Sequence, residues 1–197
     1  MVALAPNGLL GSDIAMQQRE MTLRSLQMPS GELAAALKRY QLIINTIQQT
    51  ITQSQGRAIV AKMLKQDNPV LDEATVQTRA AELTTVPYRA FLSFSPAESL
   101  PKVVCPVLLL YGTADQVLDP DANLAVLTKG LKGNKGVTAR KLPGVNHLFQ
   151  PDHDQWPIVA GESQAVFSPA AQDAVRAWIV AQTGGPAAPG GPAQAQH

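Results

Sequence analysis

The run Pro106-Val107-Leu108-Leu109-Leu110-Tyr111 is apolar at every position. A strand with one face in water alternates apolar with polar residues. A continuous run is the mark of a strand covered on both faces, as in a parallel sheet sandwiched between helices. Parallel neighbours need a long crossover connection, usually a helix. The residues that follow supply one: Asp119-Pro120 sets a capping carboxylate before proline at the first helical position. A helix to about Leu131, with Leu124, Leu127 and Leu131 facing inward, is expected, and residues 136–142 form the next strand. Ser168-Pro169 opens a last helix whose buried stripe is Ala171, Val175, Trp178 and Ile179 and which stops near Thr183-Gly184.

Toward the N-terminus, Val2-Ala3-Leu4-Ala5 is a short apolar run closed by Pro6-Asn7-Gly8, a strand ending in a turn. The rhythm then becomes helical as far as about Phe94. Leu33, Leu37, Tyr40, Ile44, Ile47 and Ile51 step by three and four and keep one face apolar. Ser30 and Gly56 bracket that stripe as cap candidates, and further helices are expected over 57–66 and 73–83, the latter capped by Asp72. The expected organisation is a first strand and turn at 1–11, a helical insertion at 12–100 and a second α/β segment at 101–183. Residues 184–197, made almost wholly of Gly, Pro, Ala and Gln, read as a disordered tail.

Composition narrows the function classes. With 197 residues, 45% of them hydrophobic, the chain has material for a real core. Its 16 basic and 15 acidic residues leave a net charge of +1 with no basic run, so no nucleic-acid partner is expected. No stretch reaches the roughly 18 apolar residues of a membrane span. The single cysteine, Cys105, excludes an intramolecular disulfide and a cysteine-based zinc site. Its apolar neighbours predict a buried, inert thiol. Nothing calls for a cofactor or a metal, and the chain as it stands reads as cytoplasmic, with export left open.

The residues that carry chemistry leave the ends of successive strands. Asp115 follows the strand that ends near Tyr111, and His147 follows the strand over 136–142. Ligands of open parallel sheets bind at the carboxyl ends of strands. The 32 residues between the two are about one strand-helix-strand unit, so they can meet. A carboxylate that accepts a hydrogen bond from one imidazole nitrogen fixes the tautomer and stabilises the imidazolium formed when the other nitrogen takes a proton. An imidazole with a pKa of about 6.5 suits transfer in both directions near neutrality.

Tyr111-Gly112-Thr113-Ala114-Asp115-Gln116-Val117 and Pro143-Gly144-Val145-Asn146-His147-Leu148-Phe149 resemble the acid and histidine motifs of α/β-hydrolases, in the branch of serine aminopeptidase-like and carboxylesterase-like proteins. The stretch from Arg89 to Leu100 and Phe167-Ser168-Pro169-Ala170 are similar to that branch's linking segments. Val2 to Gly11 looks like the strand and turn after its nucleophile helix. The resemblance covers residues 2–183. It implies a partial α/β-hydrolase fold of about three parallel strands with a helical cap insertion. It also implies hydrolysis of carboxylic esters or related acyl substrates, with His147 as base and Asp115 as its orienting acid. The family's serine sits on a Gly-x-Ser-x-Gly elbow that precedes both. No such motif occurs in this sequence, so the elbow is expected before Met1.

Other readings stand beside these. His147 could be a loop histidine bonding its own turn, and Asp115 a turn-capping aspartate. Asp119 reads as a helix N-cap and is second choice for the acid. His153, between Asp152 and Asp154, invites a metal reading, but its spacing matches no helix-based or finger-like ligand pattern, and a solvated loop is favoured. Ser12, Ser95, Ser163 and Ser168 lie in capping or turn contexts. Two functions follow: an esterase-type hydrolase, or a non-catalytic hydrolase half acting as a binding or assembly module. Three parallel strands leave an apolar edge open, so a homo-oligomer or a complementing N-terminal chain is expected.

Overall fold

The central strand of the sheet, β2 (Val107–Gly112), is buried at all six positions. The computed structural model describes residues 1–184. On one side β2 pairs in parallel with β1 (Val2–Leu4), Val2 opposite Leu108 and Leu4 opposite Leu110. On the other it pairs in parallel with β3 (Val137–Leu142), from Val107 opposite Val137 to Gly112 opposite Leu142. The chain is thus mixed α/β, with seven α-helices among the described residues, a three-stranded parallel sheet and a small antiparallel hairpin.

The described chain divides into two compact units, one of Met1–Pro6 with the segment from Ser99 onward, the other of Asn7–Glu98. In the first, α6 (Pro120–Gly130) links β2 to β3, and Asp119 caps it by accepting from the amides of Asp121 and Ala122. Leu127 and Leu131 are buried as periodicity requires, whereas Leu124 is half-buried and Asn123 takes a fully buried place instead. The closing helix, α7 (Pro169–Thr183), ends on Gly184 in the left-handed region (φ 66°), the conformation that glycine adopts without strain. Its buried residues are Ala171 and Ala174. The expected stripe is therefore corrected: Ile179 is 44% exposed, lining an apolar groove with Val2, Leu4 and Val175 where the sheet has only its edge strand.

Between α6 and α7 lies an element the apolar patterning does not announce, the hairpin β4 (Ile158–Val159) and β5 (Glu162–Ser163). Its two-residue turn puts Ala160 and Gly161 at φ 54° and 85°, the geometry that matches a hairpin's twist. Cys105 also departs from expectation. Its thiol is exposed, because β2 begins two residues later and the apolar run is buried only from Val107.

The second unit is all helical: α1 (Gly11–Ser25), α2 (Ser30–Gln49), α3 (Gln53–Asp67), α4 (Glu73–Leu83) and α5 (Val86–Leu92). Ile43, Ile44 and Ile47 of α2 pack with Val60, Val76, Ala80 and Leu92 into one buried cluster. Ile51 lies beyond the end of α2 and is 89% exposed, so the stripe stops at Ile47. Neither cap candidate for this helix acts as one. Ser30 is already its first helical residue, and Gly56 sits inside α3, where a Cβ would come within 2.9 Å of the Thr50 hydroxyl. The break between the helices comes instead from Thr50, extended at the end of α2, and Thr52, whose hydroxyl accepts the Gln55 amide. Asp72 caps α4, accepting from the Thr75 amide and hydroxyl. Those bonds hold its carboxyl below the ordinary aspartate value.

Candidate active site

Two loops at the carboxyl ends of β2 and β3 are sewn together by their backbones. The Thr113 amide donates to the Leu142 carbonyl at 2.9 Å and the Ala114 amide to the Val145 carbonyl at 3.0 Å. In return the Gly144 amide donates to the Thr113 hydroxyl at 3.0 Å. This approach is possible because residue 112 is glycine: a Cβ there would lie 1.9 Å from the Val145 carbonyl oxygen. Gly144 turns the second loop at φ 67°.

Asp115 sits where the first loop leaves this seam. Its side chain is wholly buried, and one oxygen, Oδ1, accepts from the amides of Val117 at 2.8 Å and Leu118 at 2.9 Å. The turn-capping reading and the partner reading both hold, since Oδ2 lies 2.8 Å from His147 Nδ1. Oδ1 is thus occupied as the acceptor of two amides, and Oδ2 is the oxygen that faces the ring. With Nδ1 donating to Oδ2, the lone pair of a neutral imidazole is left on Nε2. The ring is 31% exposed and Nε2 has no hydrogen-bond partner among the described residues. A buried acid, an oriented ring and an unused base in contact with water form the arrangement that general-base chemistry needs.

The neighbours hold this geometry. Asn146 Oδ1 accepts from the amides of Leu148 and Gln150 at 3.0 and 2.9 Å, and its amide donates to the Gln150 side chain. The histidine is therefore bracketed by an Asx turn. Phe149 is held at φ 58°, a region that non-glycine residues enter at a cost. Its ring stacks on Phe167 at 5.8 Å and its carbonyl accepts the Ser168 amide at 2.7 Å. Beneath Asp115, Tyr111 is fully buried and its hydroxyl donates to the Pro6 carbonyl. Burial first, and then the nearby Asp115 charge, push that phenol well above its ordinary value. Asn146, Gly112 and Tyr111 belong to this site although sequence reading singled out only the acid and the base. An asparagine directly before the histidine was the available sign.

None of the other candidates shares a hydrogen bond with Asp115 or His147. Asp119 spends one carboxylate oxygen on the α6 cap. His153 is exposed in a 3-10 turn with its ring 4.8 Å from Trp156. Among the described residues no group of three or more His, Cys, Asp and Glu is placed to hold a metal ion. Ser12 lies inside α1, the Ser95 hydroxyl accepts the Ala97 amide, Ser163 is in β5 and Ser168 is the first-cap residue of α7. None stands on a strand-to-helix elbow.

No protein-family model, curated protein or solved structure matches the chain. The class defined by fold and site is accordingly a mixed α/β protein with a buried carboxylate-imidazole pair at the strand ends of a parallel sheet.

Proposed function

We propose that this chain carries the base and the orienting acid of a serine-type hydrolase of carboxylic esters or related acyl compounds, on a partial α/β-hydrolase fold. The observation that carries the reading is the 2.8 Å contact from His147 Nδ1 to a fully buried Asp115 carboxylate, which leaves Nε2 free at the surface. A loop histidine that merely satisfied its turn would spend its ring on local backbone. This one spends Nδ1 on an acid 32 residues away. In the proposed reaction Nε2 removes the proton of an attacking hydroxyl, and Asp115 stabilises the imidazolium. Full activity requires a serine presented to Nε2 by a segment outside residues 1–184. Without it, water is the nucleophile.

Release of nitrophenol from a short-chain nitrophenyl ester tests this. The chain should show slow turnover that falls at least about tenfold in His147→Ala, because a positioned base contributes roughly 10²–10⁴-fold. Equal rates in the two proteins remove His147 from any mechanism.

A second reading, a non-catalytic binding or assembly module, is favoured by the outer edge of β1. That edge is apolar, and its groove of about 450 Å³ includes Leu4, Phe167, Val175 and Ile179. The opposite edge, β3, exposes Arg140 and Lys141, charges of the kind that discourage strand addition. Under this reading the chain forms a dimer or larger assembly in light scattering. A monodisperse monomer counts against it.

A further inference from the structure

The helical unit contains a second cleft, of about 560 Å³, bounded by α1, α2, α3, α4 and the loop between α3 and α4. That volume lies within the range of about 300–1,000 Å³ typical of small-molecule pockets. Its chemistry is divided. Three arginines reach it from three different helices, Arg19 on α1, Arg39 on α2 and Arg79 on α4, against two carboxylates, Asp67 and Glu82. Arg39 is committed, its Nε 3.5 Å from Asp67 Oδ1. Arg19 and Arg79 make no ion pair among the described residues. The Arg19 guanidinium instead lies over the Tyr40 ring, 5.6 Å from its centre, a contact that leaves its N–H edge available. The Tyr40 hydroxyl is fixed by that of Tyr88 at 2.8 Å.

The other half of the cleft is hydrocarbon. Ile43 is buried in its wall, and Leu64, Leu71 and Leu83 pack against the unit's core yet remain only partly covered. Lys65 anchors the loop that carries Leu71 by donating to the Leu71 carbonyl. A surface helix ordinarily shows water its charges and hides its leucines. Here partly covered leucines and uncommitted guanidinium groups open into one concavity. An apolar ligand would leave the arginines idle, and an inorganic anion would leave the leucines wet.

We propose that this cleft binds a single-chain amphiphilic anion, a medium-chain carboxylate, with its head on Arg19 and Arg79 and its tail along Leu64, Leu71 and Leu83. Arg pairs with carboxylate through charge-assisted, often bidentate hydrogen bonds, and the tail removes apolar area from water. The site is separate in sequence from Asp115 and His147 and does not depend on their role.

Isothermal titration with decanoate, decanol and acetate tests the assignment on the whole chain. Decanoate should bind, and decanol and acetate should each bind at least about tenfold more weakly, since each lacks one of the two halves. Arg19→Gln and Arg79→Gln, both at exposed positions, should each weaken decanoate by about tenfold. The double variant should bring it to the level of decanol. His147→Ala should bind decanoate as the unaltered chain does. No binding of decanoate, equal binding of decanol, or affinity unchanged in the arginine variants each overturns the proposal; the last places the ligand elsewhere on the molecule.

Discussion

His147 and Asp115 meet through Nδ1 and Oδ2 at 2.8 Å, while the acid's other oxygen is already held by the amides of Val117 and Leu118. The carboxylate therefore supports the loop as well as the ring, and the two side chains are not equivalent in stability. Asp115→Ala strands two amide donors, one of them buried, at a cost of ~2–4 kcal/mol. His147→Ala removes one bond at a half-exposed position, ~1 kcal/mol. Urea midpoints and hydrogen exchange at the Val117 and Leu118 amides should separate the two variants. Equal losses would show that the amides do not depend on the acid.

Gly112→Ala should be among the most damaging single methyl groups in the chain. Its Cβ would fall 1.9 Å from the Val145 carbonyl oxygen, a backbone atom that can yield only if the two loops part. A cost of ~3 kcal/mol or more is expected, together with loss of the low-field Nδ1 proton signal of His147. A folded variant that keeps that signal would mean that the seam is loose.

The choice between Asp115 and Asp119 as acid can be made without a structure. Asp119→Ala removes a helix cap worth ~1 kcal/mol and should leave ester turnover as it was. Asp115→Asn loses the charge that holds the tautomer, and turnover should fall toward the level of His147→Ala. Reversed results would move the acid to Asp119.

Tyr111 gives the chain an alkaline limit. Its folded value is raised above the 10.0 of an exposed phenol by burial and by the Asp115 charge. The stabilisation from keeping it neutral is complete below pH 10 and is lost as pH rises toward the folded value, because the unfolded chain ionises first. Tyr88, raised by burial and its bond to Tyr40, adds to the same window. Melting temperatures taken from about pH 9 to about pH 11 should fall, and fall less steeply in Tyr111→Phe. Parallel slopes for the two proteins would exclude this phenol as the cause.

Much of the architecture was legible because single residues carried unambiguous signals. The apolar run at Val107–Tyr111 reads as a strand covered on both faces, and Asp119-Pro120 and Asp72 mark helix starts that side-chain bonds reproduce. The meeting of Asp115 with His147 was legible from one strand-helix-strand spacing. Less readable were the places where tertiary context overrides local pattern. Gly56 resembles a helix stop but is small because Thr50 packs against it. Cys105 shares an apolar run yet precedes the strand that is buried, and Ile179 continues a helical stripe past the point where anything covers it. The support around the site was hidden for another reason. Gly112 and Tyr111 act against backbone atoms distant in sequence, which spacing alone does not disclose, whereas Asn146 brackets the histidine through the nearby amides of Leu148 and Gln150.

The pairing of Val2–Leu4 with Leu108–Leu110 has a kinetic consequence. The first strand leaves the ribosome about a hundred residues before its partner, whereas the buried cluster of the helices over residues 11–92 is made wholly from residues within that span, all of them synthesised before β2. Closing so long a loop carries a large entropic barrier, so the helices should mature first and the sheet should zip last. Until then an extended apolar segment is exposed to chaperones and to other nascent chains. Yield during expression should therefore be governed by how quickly β2 emerges.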